Sequence, residues 1–146
     1  MWLLSPVLFL LSLPGCFSIR GPGAVTGREQ GSLTVWCHYR PKWMTYKKYW
    51  CRGAQWPFCQ VLVETKGSEQ EVTKGRVSIR DDQKNHSILV TMQHLRQEDN
   101  DTYWCGINRS GSDPGTSIRV MVVPGNVVSR SIASSYAEVS FRSHIR

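Results

Sequence analysis

The side chains best able to do chemistry in this chain are its five cysteines, at positions 16, 37, 51, 59 and 105. Cysteines form disulfides in secreted proteins, or they bind zinc as thiolates. Zinc sites favour close Cys-x-x-Cys pairs or a nearby cluster of histidines. No such cysteine pair occurs here, and the four histidines are scattered along the sequence. The spacing therefore favours disulfides over a zinc site.

The start of the chain supports a secretory route. Residues 1–13 are apolar and carry no charge, but they are too few for a membrane helix, which needs about 20. Small residues stand three and one before the bond between Ser18 and Ile19. We predict a signal peptide over residues 1–18. Its removal takes Cys16 away and leaves an even set of four cysteines, which allow three pairings.

A series of residues at characteristic spacings narrows the range of folds that the chain can adopt. Trp50 lies thirteen residues after Cys37, and Cys105 lies sixty-eight after Cys37. Tyr103 precedes Cys105 by two residues and Asp99 precedes it by six. This series is typical of an immunoglobulin domain, where the two cysteines bridge strands B and F, the tryptophan packs on the bridge and the tyrosine closes the E–F corner. It predicts a Cys37–Cys105 disulfide.

Short alternating segments at regular spacing complete this interpretation. We predict strands B, C and C′ at residues 32–39, 46–52 and 59–64, and strands D, E, F and G at 76–81, 87–95, 102–108 and 116–123. Residues 19–31 are expected to form a glycine-broken edge strand, and residues 66–75 a polar loop. The predicted fold is an all-β V-set immunoglobulin β-sandwich over residues 19–124. Cys51 and Cys59 would clip the C–C′ hairpin from its outer face, with Cys51 pointing outward.

Two further features concern stability and catalysis. Arg76, at the start of strand D, and Asp99, at the E–F corner, are expected to meet across the bottom of the sandwich. Once the cysteines are paired, the sequence suggests no Ser/His/Asp or Cys/His set, and a small sandwich offers little pocket volume. The sequence therefore argues against an enzyme.

The formal net charge of +7 restricts the kind of partner. The last 22 residues contain three arginines and one glutamate, which leaves +5 on the domain. This charge favours anionic partners such as acidic lipid headgroups, sialylated glycans or acidic proteins. No nucleic-acid-binding motif is present, and a secretory route argues against nucleic acid.

Several motifs resemble those of one receptor family. They are Lys48-Tyr49-Trp50-Cys51-Arg52-Gly53 with Cys59 downstream, the segments 67–72 and 76–79, and Asp101-Thr102-Tyr103-Trp104-Cys105-Gly106. The chain resembles the single-V-domain myeloid receptors related to the polymeric immunoglobulin receptor, the leukocyte mono-immunoglobulin-like receptors. The resemblance implies expression at the plasma membrane of leukocytes, lipid ligands such as phosphatidylserine and phosphatidylethanolamine, and activating or inhibitory signalling.

The sequence departs from that plan after Pro124. A receptor needs a transmembrane helix, but no run of about 18 apolar residues follows residue 18. Residues 125–146 are rich in serine and arginine, and we expect a disordered tail. As written, the product should be secreted, or it is a splice form or truncation of a membrane receptor. The segment 134–139 fits an inhibitory tyrosine motif centred on Tyr136, and an accidental match is the simpler interpretation.

The loops at one end of a variable domain form its natural binding tip. Trp43 and Met44 lie in the B–C loop, outside the alternating pattern of a strand that would place them in the core. Flanked by Lys42, Lys47 and Lys48, they are predicted to be exposed and to bind a lipid headgroup. Arg109, in the F–G loop, suits a direct phosphate contact. Trp56 and Phe58, in the C–C′ hairpin, are expected to pack locally against the Cys51–Cys59 bridge.

The remaining sites are a metal ligand and the glycosylation sequons. The nearby Asp113 could contribute to a Ca²⁺ site, although an ordinary turn aspartate is the simpler interpretation and no other cofactor is expected. Sequons predict N-glycosylation at Asn85, Asn100 and Asn108. Asn108 is close enough to the predicted tip for a glycan to cover the tip.

Two functions follow from these observations. The first is a receptor ectodomain in innate immunity, or its soluble decoy, that binds anionic or amino-phospholipids at the tip. The alternative is a protein–protein module that pairs with another immunoglobulin-type receptor, or binds a cell-surface protein, through the C–C′–F–G face. Pairing would depend on side chains of that face such as Lys47 and Tyr49.

Overall fold

The computed structural model describes residues 18–125 as ten β-strands and three short 3-10 turns. The predicted signal peptide and tail lie outside this range, apart from Ser18 and Gly125. No helix within residues 18–125 is long and apolar enough to cross a membrane. The strands are β1 (Ile19–Arg20), β2 (Ala24–Arg28), β3 (Leu33–Tyr39), β4 (Lys47–Arg52), β5 (Gln60–Glu64), β6 (Val72–Lys74), β7 (Val77–Asp82), β8 (Ser87–Met92), β9 (Asp101–Asn108) and β10 (Gly115–Val123).

These strands form two five-stranded sheets. One sheet has the order β1-β3-β8-β7-β6 and the other has the order β2-β10-β9-β4-β5. Neighbouring strands are antiparallel except for β2 and β10, which run parallel. In immunoglobulin lettering β3, β4 and β5 are B, C and C′, and β7 to β10 are D, E, F and G. The predicted all-β sandwich of V-set type is confirmed.

The start of the domain differs from the single edge strand that the sequence predicts. Strand β1 pairs with β3 in one sheet, whereas β2 pairs with β10 in the other. The segment Gly21-Pro22-Gly23 lies between them. Pro22 has no N–H to donate to either sheet, and Gly23 adopts a left-handed φ of 80°. The chain can therefore leave one sheet here and join the other.

The loop predicted at residues 66–75 also differs. It contains the short strand β6, which pairs with β7 through Val72 and Ile79. Three residues are too few to give a clear alternating pattern, so the sequence did not reveal this edge strand.

The core lies between the sheets and contains the residues predicted for it. Alternate side chains of β3, from Leu33 to Tyr39, are buried, as its alternating pattern predicts. The Cys37–Cys105 disulfide joins the two sheets. Trp50 is fully buried and its ring stacks on that of Tyr103, with the ring centroids 5.1 Å apart. Burying each large apolar side chain contributes about 1.5–3 kcal/mol.

The end of the sandwich opposite the predicted binding tip is closed by polar contacts. The Tyr103 hydroxyl donates to the carbonyl of Asp99 at 2.7 Å, which makes the E–F corner. Two nitrogens of the Arg76 guanidinium each donate to a different Asp99 carboxylate oxygen, both at 2.8 Å. This bidentate pair holds the start of β7 against the turn before β9.

A second disulfide, Cys51–Cys59, joins β4 to the residue that precedes β5. The prediction of this bridge is confirmed, and Cys51, which is predicted to face away from Trp50, is fully buried. The reason is that the hairpin folds back over its own sheet, and Trp56 and Trp104 cover the same outer face. The bridge therefore fixes the hairpin against the outer face of the sheet.

Candidate ligand-binding tip and sheet face

The B–C segment forms a 3-10 turn, Pro41–Trp43, which turns Trp43 into the core. Only 6% of Trp43 is exposed, so the prediction of an exposed ring is wrong. The N–H of Trp43 donates to the Arg40 carbonyl, and its ring meets Tyr46 edge to face at 5.4 Å. The neighbouring Met44 remains 37% exposed. Of the two predicted apolar side chains, only Met44 is therefore available to a ligand.

Two cations converge on the buried indole. The Lys42 ammonium lies 4.7 Å from the centroid of the Trp43 ring, and the Arg109 guanidinium carbon lies 5.1 Å from it. The structure thus brings together Lys42, from the B–C segment, and Arg109, from the F–G loop. Among residues 18–125, neither forms an ion pair with a carboxylate. We call Lys42, Trp43, Met44 and Arg109 the tip cluster.

Lys48 does not belong to this surface, contrary to the prediction. Its side chain is fully buried, and its ammonium donates to Asp81 at 2.5 Å. It also donates to the carbonyls of Met44 and Tyr46. Burial lowers the pKa of Lys48, although the Asp81 carboxylate acts in the opposite direction. Lys48 therefore fixes the B–C segment from below, while Lys47 is exposed.

Asp113, the candidate calcium ligand, is occupied by contacts within the domain. One carboxylate oxygen accepts the hydroxyl proton of Tyr49 at 3.0 Å, and the other accepts the backbone N–H of Arg109 at 3.1 Å. In the part of the chain that the structure describes, no three His, Cys, Asp or Glu side chains cluster to hold a metal. Asp113 therefore shapes the F–G loop and links it to β4.

The C–C′ hairpin presents an apolar tip that sequence reasoning missed. Its turn is the 3-10 segment Trp56–Phe58, in which Trp56 is half-buried. Phe58 is 81% exposed, so the expectation that it packs against the disulfide is wrong. Val61, at the start of β5, is 53% exposed. The Trp-Pro-Phe sequence in a turn of a disulfide-clipped hairpin was the available signal for a protruding ring.

On the outer face of the C–C′–F–G sheet, the ring of Tyr49 lies close to the backbone of Gly106. Tyr49 and Gly106 are cross-strand partners on β4 and β9. A Cβ added to Gly106 would lie 2.2 Å from Cζ of the Tyr49 ring, so only glycine lets this ring lie flat on β9. Burial and then the Asp113 contact raise the pKa of the Tyr49 hydroxyl, which therefore stays protonated at neutral pH.

Comparison with known proteins agrees with this architecture. The family profile "Immunoglobulin V-set domain" matches residues 20–123. The chain belongs to the immunoglobulin V-set family. Mouse CMRF35-like molecule 7 is 61% identical over 122 residues, which cover 84% of this chain and 58% of the relative. Human CMRF35-like molecule 7 is 54% identical over 134 residues, which cover 92% of this chain and 66% of the relative.

Solved structures extend the comparison to more distant V-set domains. The teleost polymeric immunoglobulin receptor ectodomain is similar with a TM-score of 0.64 and 31% identity, covering 72% of this chain and 50% of that one. The natural killer cell receptor NKp44 is similar with a TM-score of 0.63 and 31% identity, covering 68% of this chain and 96% of that one.

These matches confirm the predicted relationship to leukocyte immunoglobulin-type receptors. They identify this V-set domain as an immunoglobulin-receptor type of domain and not as an enzyme. The chain spans about three-fifths to two-thirds of the length of the curated relatives described above.

The three sequons of the V-set domain differ in their surroundings. Asn85 is exposed in the turn between β7 and β8. Asn108 is also exposed, and its amide donates to Glu64 at 2.9 Å. Asn100 instead donates through its amide nitrogen to the carbonyls of both Gln97 and Val122, and a glycan on that nitrogen would have to displace one of these bonds. Glycosylation at all three remains a prediction, and the geometry favours Asn85 and Asn108.

Proposed function

We propose that this V-set domain is the recognition domain of a leukocyte receptor or of its soluble form, and that the tip cluster binds the anionic group of a phospholipid headgroup. The observation that carries the proposal is the convergence of Lys42 and Arg109 on Trp43 without a carboxylate partner among the described residues. Adjacent cations without a counter-ion attract a phosphate or carboxylate.

The burial of Trp43 changes the part it plays in this proposal. Trp43 is the base against which the two cations are held, whereas Met44 is the apolar side chain exposed at the same tip. An exposed methionine beside two cations matches a membrane surface, where apolar atoms enter the acyl boundary and cations meet the phosphates. The family resemblance implies that engagement of such a ligand modulates myeloid cell activation.

Vesicle co-sedimentation of the full chain tests the proposal. Vesicles of phosphatidylcholine alone are compared with vesicles containing phosphatidylserine or phosphatidylethanolamine, with Ca²⁺ or with chelator. We expect the strongest binding when phosphatidylserine is present, because its headgroup alone among the three carries a net negative charge. Lys42→Glu and Arg109→Glu should each weaken it at least about fivefold, because each basic residue near an anionic surface contributes about 1 kcal/mol.

Lys74→Glu is the matched control. It makes the same charge change on an exposed residue of β6, close to Arg76 at the opposite end of the sandwich. Equal losses in Lys42→Glu and Lys74→Glu would show a net-charge effect and contradict a tip site. A Ca²⁺ requirement that Asp113→Asn abolishes would make Asp113 a ligand. Absence of binding to every vesicle would reject the lipid proposal.

The second candidate function is pairing with a protein, such as another immunoglobulin-type receptor, through the C–C′–F–G face. The exposure of Phe58 and Val61 favours it, because exposed apolar side chains on a rigid hairpin are typical anchors of protein interfaces. Sedimentation of this chain with a related receptor ectodomain tests it. Phe58→Ser should abolish the complex, whereas Lys42→Glu should leave it unchanged.

A further inference from the structure

A cleft of about 410 Å³ lies between the C–C′ hairpin and the F–G loop, beside the tip cluster, since its lining residue Asp113 accepts the Arg109 N–H. Its walls are aromatic and its rim is acidic. The lining residues are Tyr49, Trp56, Pro57, Cys59, Val61, Glu64, Asn108 and Asp113. This volume falls within the range of ordinary ligand sites.

The cleft is built by a row of residues that crosses four strands. Glu64, Tyr49, Gly106 and Gly115 are successive cross-strand partners on β5, β4, β9 and β10. The two glycines leave bare backbone, and the two aromatic rings take the space. A Cβ on Gly106 would meet the Tyr49 ring at 2.2 Å, and one on Gly115 would meet Trp56 Nε1 at 3.0 Å. The aromatic walls are therefore set against the sheet.

Two carboxylates of the cleft, those of Glu64 and Asp113, lack a cation within the part of the chain that the structure describes. Among the described residues Glu64 accepts from the Asn108 amide alone, and Asp113 accepts from the Tyr49 hydroxyl and a backbone N–H. Within residues 18–125, neither carboxylate forms an ion pair. Arg109, four residues before Asp113, is directed at the Trp43 ring, and Lys66, two residues after Glu64, forms no ion pair with it among the described residues. Two such carboxylates stand out in a domain of net charge +5.

We propose that this cleft binds a basic side chain, arginine or lysine, presented by a protein partner. Two electron-rich rings and two carboxylates without a counter-cation form a site in which a cation gains both cation–π and charge-assisted contacts. Val61 lines the cleft, and the exposed Phe58 lies between the lining residues Pro57 and Cys59. The proposal therefore rests on the second candidate function and adds that the partner presents a positive charge at this point. The Cys51–Cys59 bridge holds one wall, so binding does not have to order the hairpin.

The Asn108 sequon makes the cleft open to regulation. The Asn108 side chain lines the cleft and contacts Glu64, so a glycan attached to its amide nitrogen would stand at the entrance. The basic side chain therefore binds only chains that are unmodified at this position. Ser110→Ala removes the sequon and leaves Asn108 itself in place.

An NMR titration with a small probe tests binding to the cleft directly. The full Ser110→Ala chain is labelled with ¹⁵N-tryptophan, and the indole resonance of Trp56 is assigned by its loss in Trp56→Phe. N-acetyl-arginine amide is the probe, and the neutral N-acetyl-citrulline amide, of nearly the same shape, is the control. We expect a saturable shift of the Trp56 resonance with the arginine probe alone, weakened by salt.

Variants of the rim separate charge from fold. Glu64→Gln and Asp113→Asn keep hydrogen-bond acceptors and should each weaken binding about threefold, since half-exposed ion pairs are of modest strength. Glycosylated chains with Ser110 intact should not respond. An equal shift with the citrulline probe, or no saturable shift, overturns the proposal. So does a Trp56 shift with soluble short-chain phosphatidylethanolamine but not with arginine. Because the probe needs no receptor partner, the cleft can bind it even where the pairing experiment fails.

Discussion

The ammonium of Lys48 lies 2.5 Å from the Asp81 carboxylate, and the side chains of both residues are fully buried between the two sheets. The pair joins β4 to β7, and the Tyr39 hydroxyl also donates to Asp81 at 2.6 Å. Because the remaining ammonium protons reach the Met44 and Tyr46 carbonyls, the pair connects the core to the segment that carries the tip cluster.

Removal of this lysine should therefore be costly. Lys48→Met leaves the Asp81 charge buried without its cation, and we expect a loss of about 3–5 kcal/mol in the free energy of unfolding. Urea denaturation measures it. Lys47→Met, on the exposed neighbour, should change the free energy by less than about 0.5 kcal/mol. The double variant Lys48→Met/Asp81→Leu should recover part of the loss, and an additive loss would contradict the coupling.

The Arg76–Asp99 pair predicts a pH dependence of stability. The Arg76 guanidinium, followed by the Arg96 N–H, holds the pKa of Asp99 below its ordinary value of 3.8, even though burial opposes this. The unfolded state therefore binds the proton more readily, and the pair stabilises the fold above about pH 4. This stabilisation is lost as the pH falls through the lowered pKa of the folded state.

Asp99→Asn tests this sign. The variant should be less stable than the parent at pH 7, by about 1–3 kcal/mol because Arg76 is partly exposed. The difference should shrink as denaturation is repeated at pH 4 and below. A difference that is constant with pH would show that the carboxylate charge is not what stabilises the corner.

The sequence predicted those parts of the fold that depend on local pattern. The spacing of Cys37, Trp50 and Cys105 specifies the bridge and the residue that packs on it, and the alternation of β3 identifies the buried face. Such signals are sufficient because each strand of a sandwich buries one side against the other sheet.

The tip was harder to predict because its burial depends on distant partners. Trp43 is buried by a turn that closes over the core, and Lys48 is buried because it meets Asp81, thirty-three residues away. Neither contact leaves a periodic signal near the residue itself. Phe58 is exposed for the converse reason, since it lies at the turn of the hairpin, which covers the sheet with Trp56 and leaves the Phe58 ring in solvent.

The contact between Tyr49 and Gly106 gives a third prediction. Gly106→Ala places a methyl group where the Tyr49 ring lies, so the ring or β9 must move. We expect a loss of about 1–3 kcal/mol, the usual cost of overpacking, measured by thermal denaturation. Tyr49→Ala should be less damaging in the Gly106→Ala background than in the parent chain, because it removes the clash. Tyr49→Phe keeps the ring and should give no such relief.

The two disulfides should differ in their response to a reductant. Cys37 and Cys105 are both fully buried, whereas Cys59, at the hairpin, is partly exposed. Thiol attack requires access to a sulfur, so mild reduction should open Cys51–Cys59 first. Mass spectrometry after timed alkylation identifies the bridge that has opened, and early labelling of Cys37 would contradict this order.

Loss of the short bridge removes a constraint of about 2–3 kcal/mol on the unfolded chain. It also frees the hairpin that carries Phe58 and one wall of the cleft, so binding of the arginine probe should weaken while the sandwich stays folded.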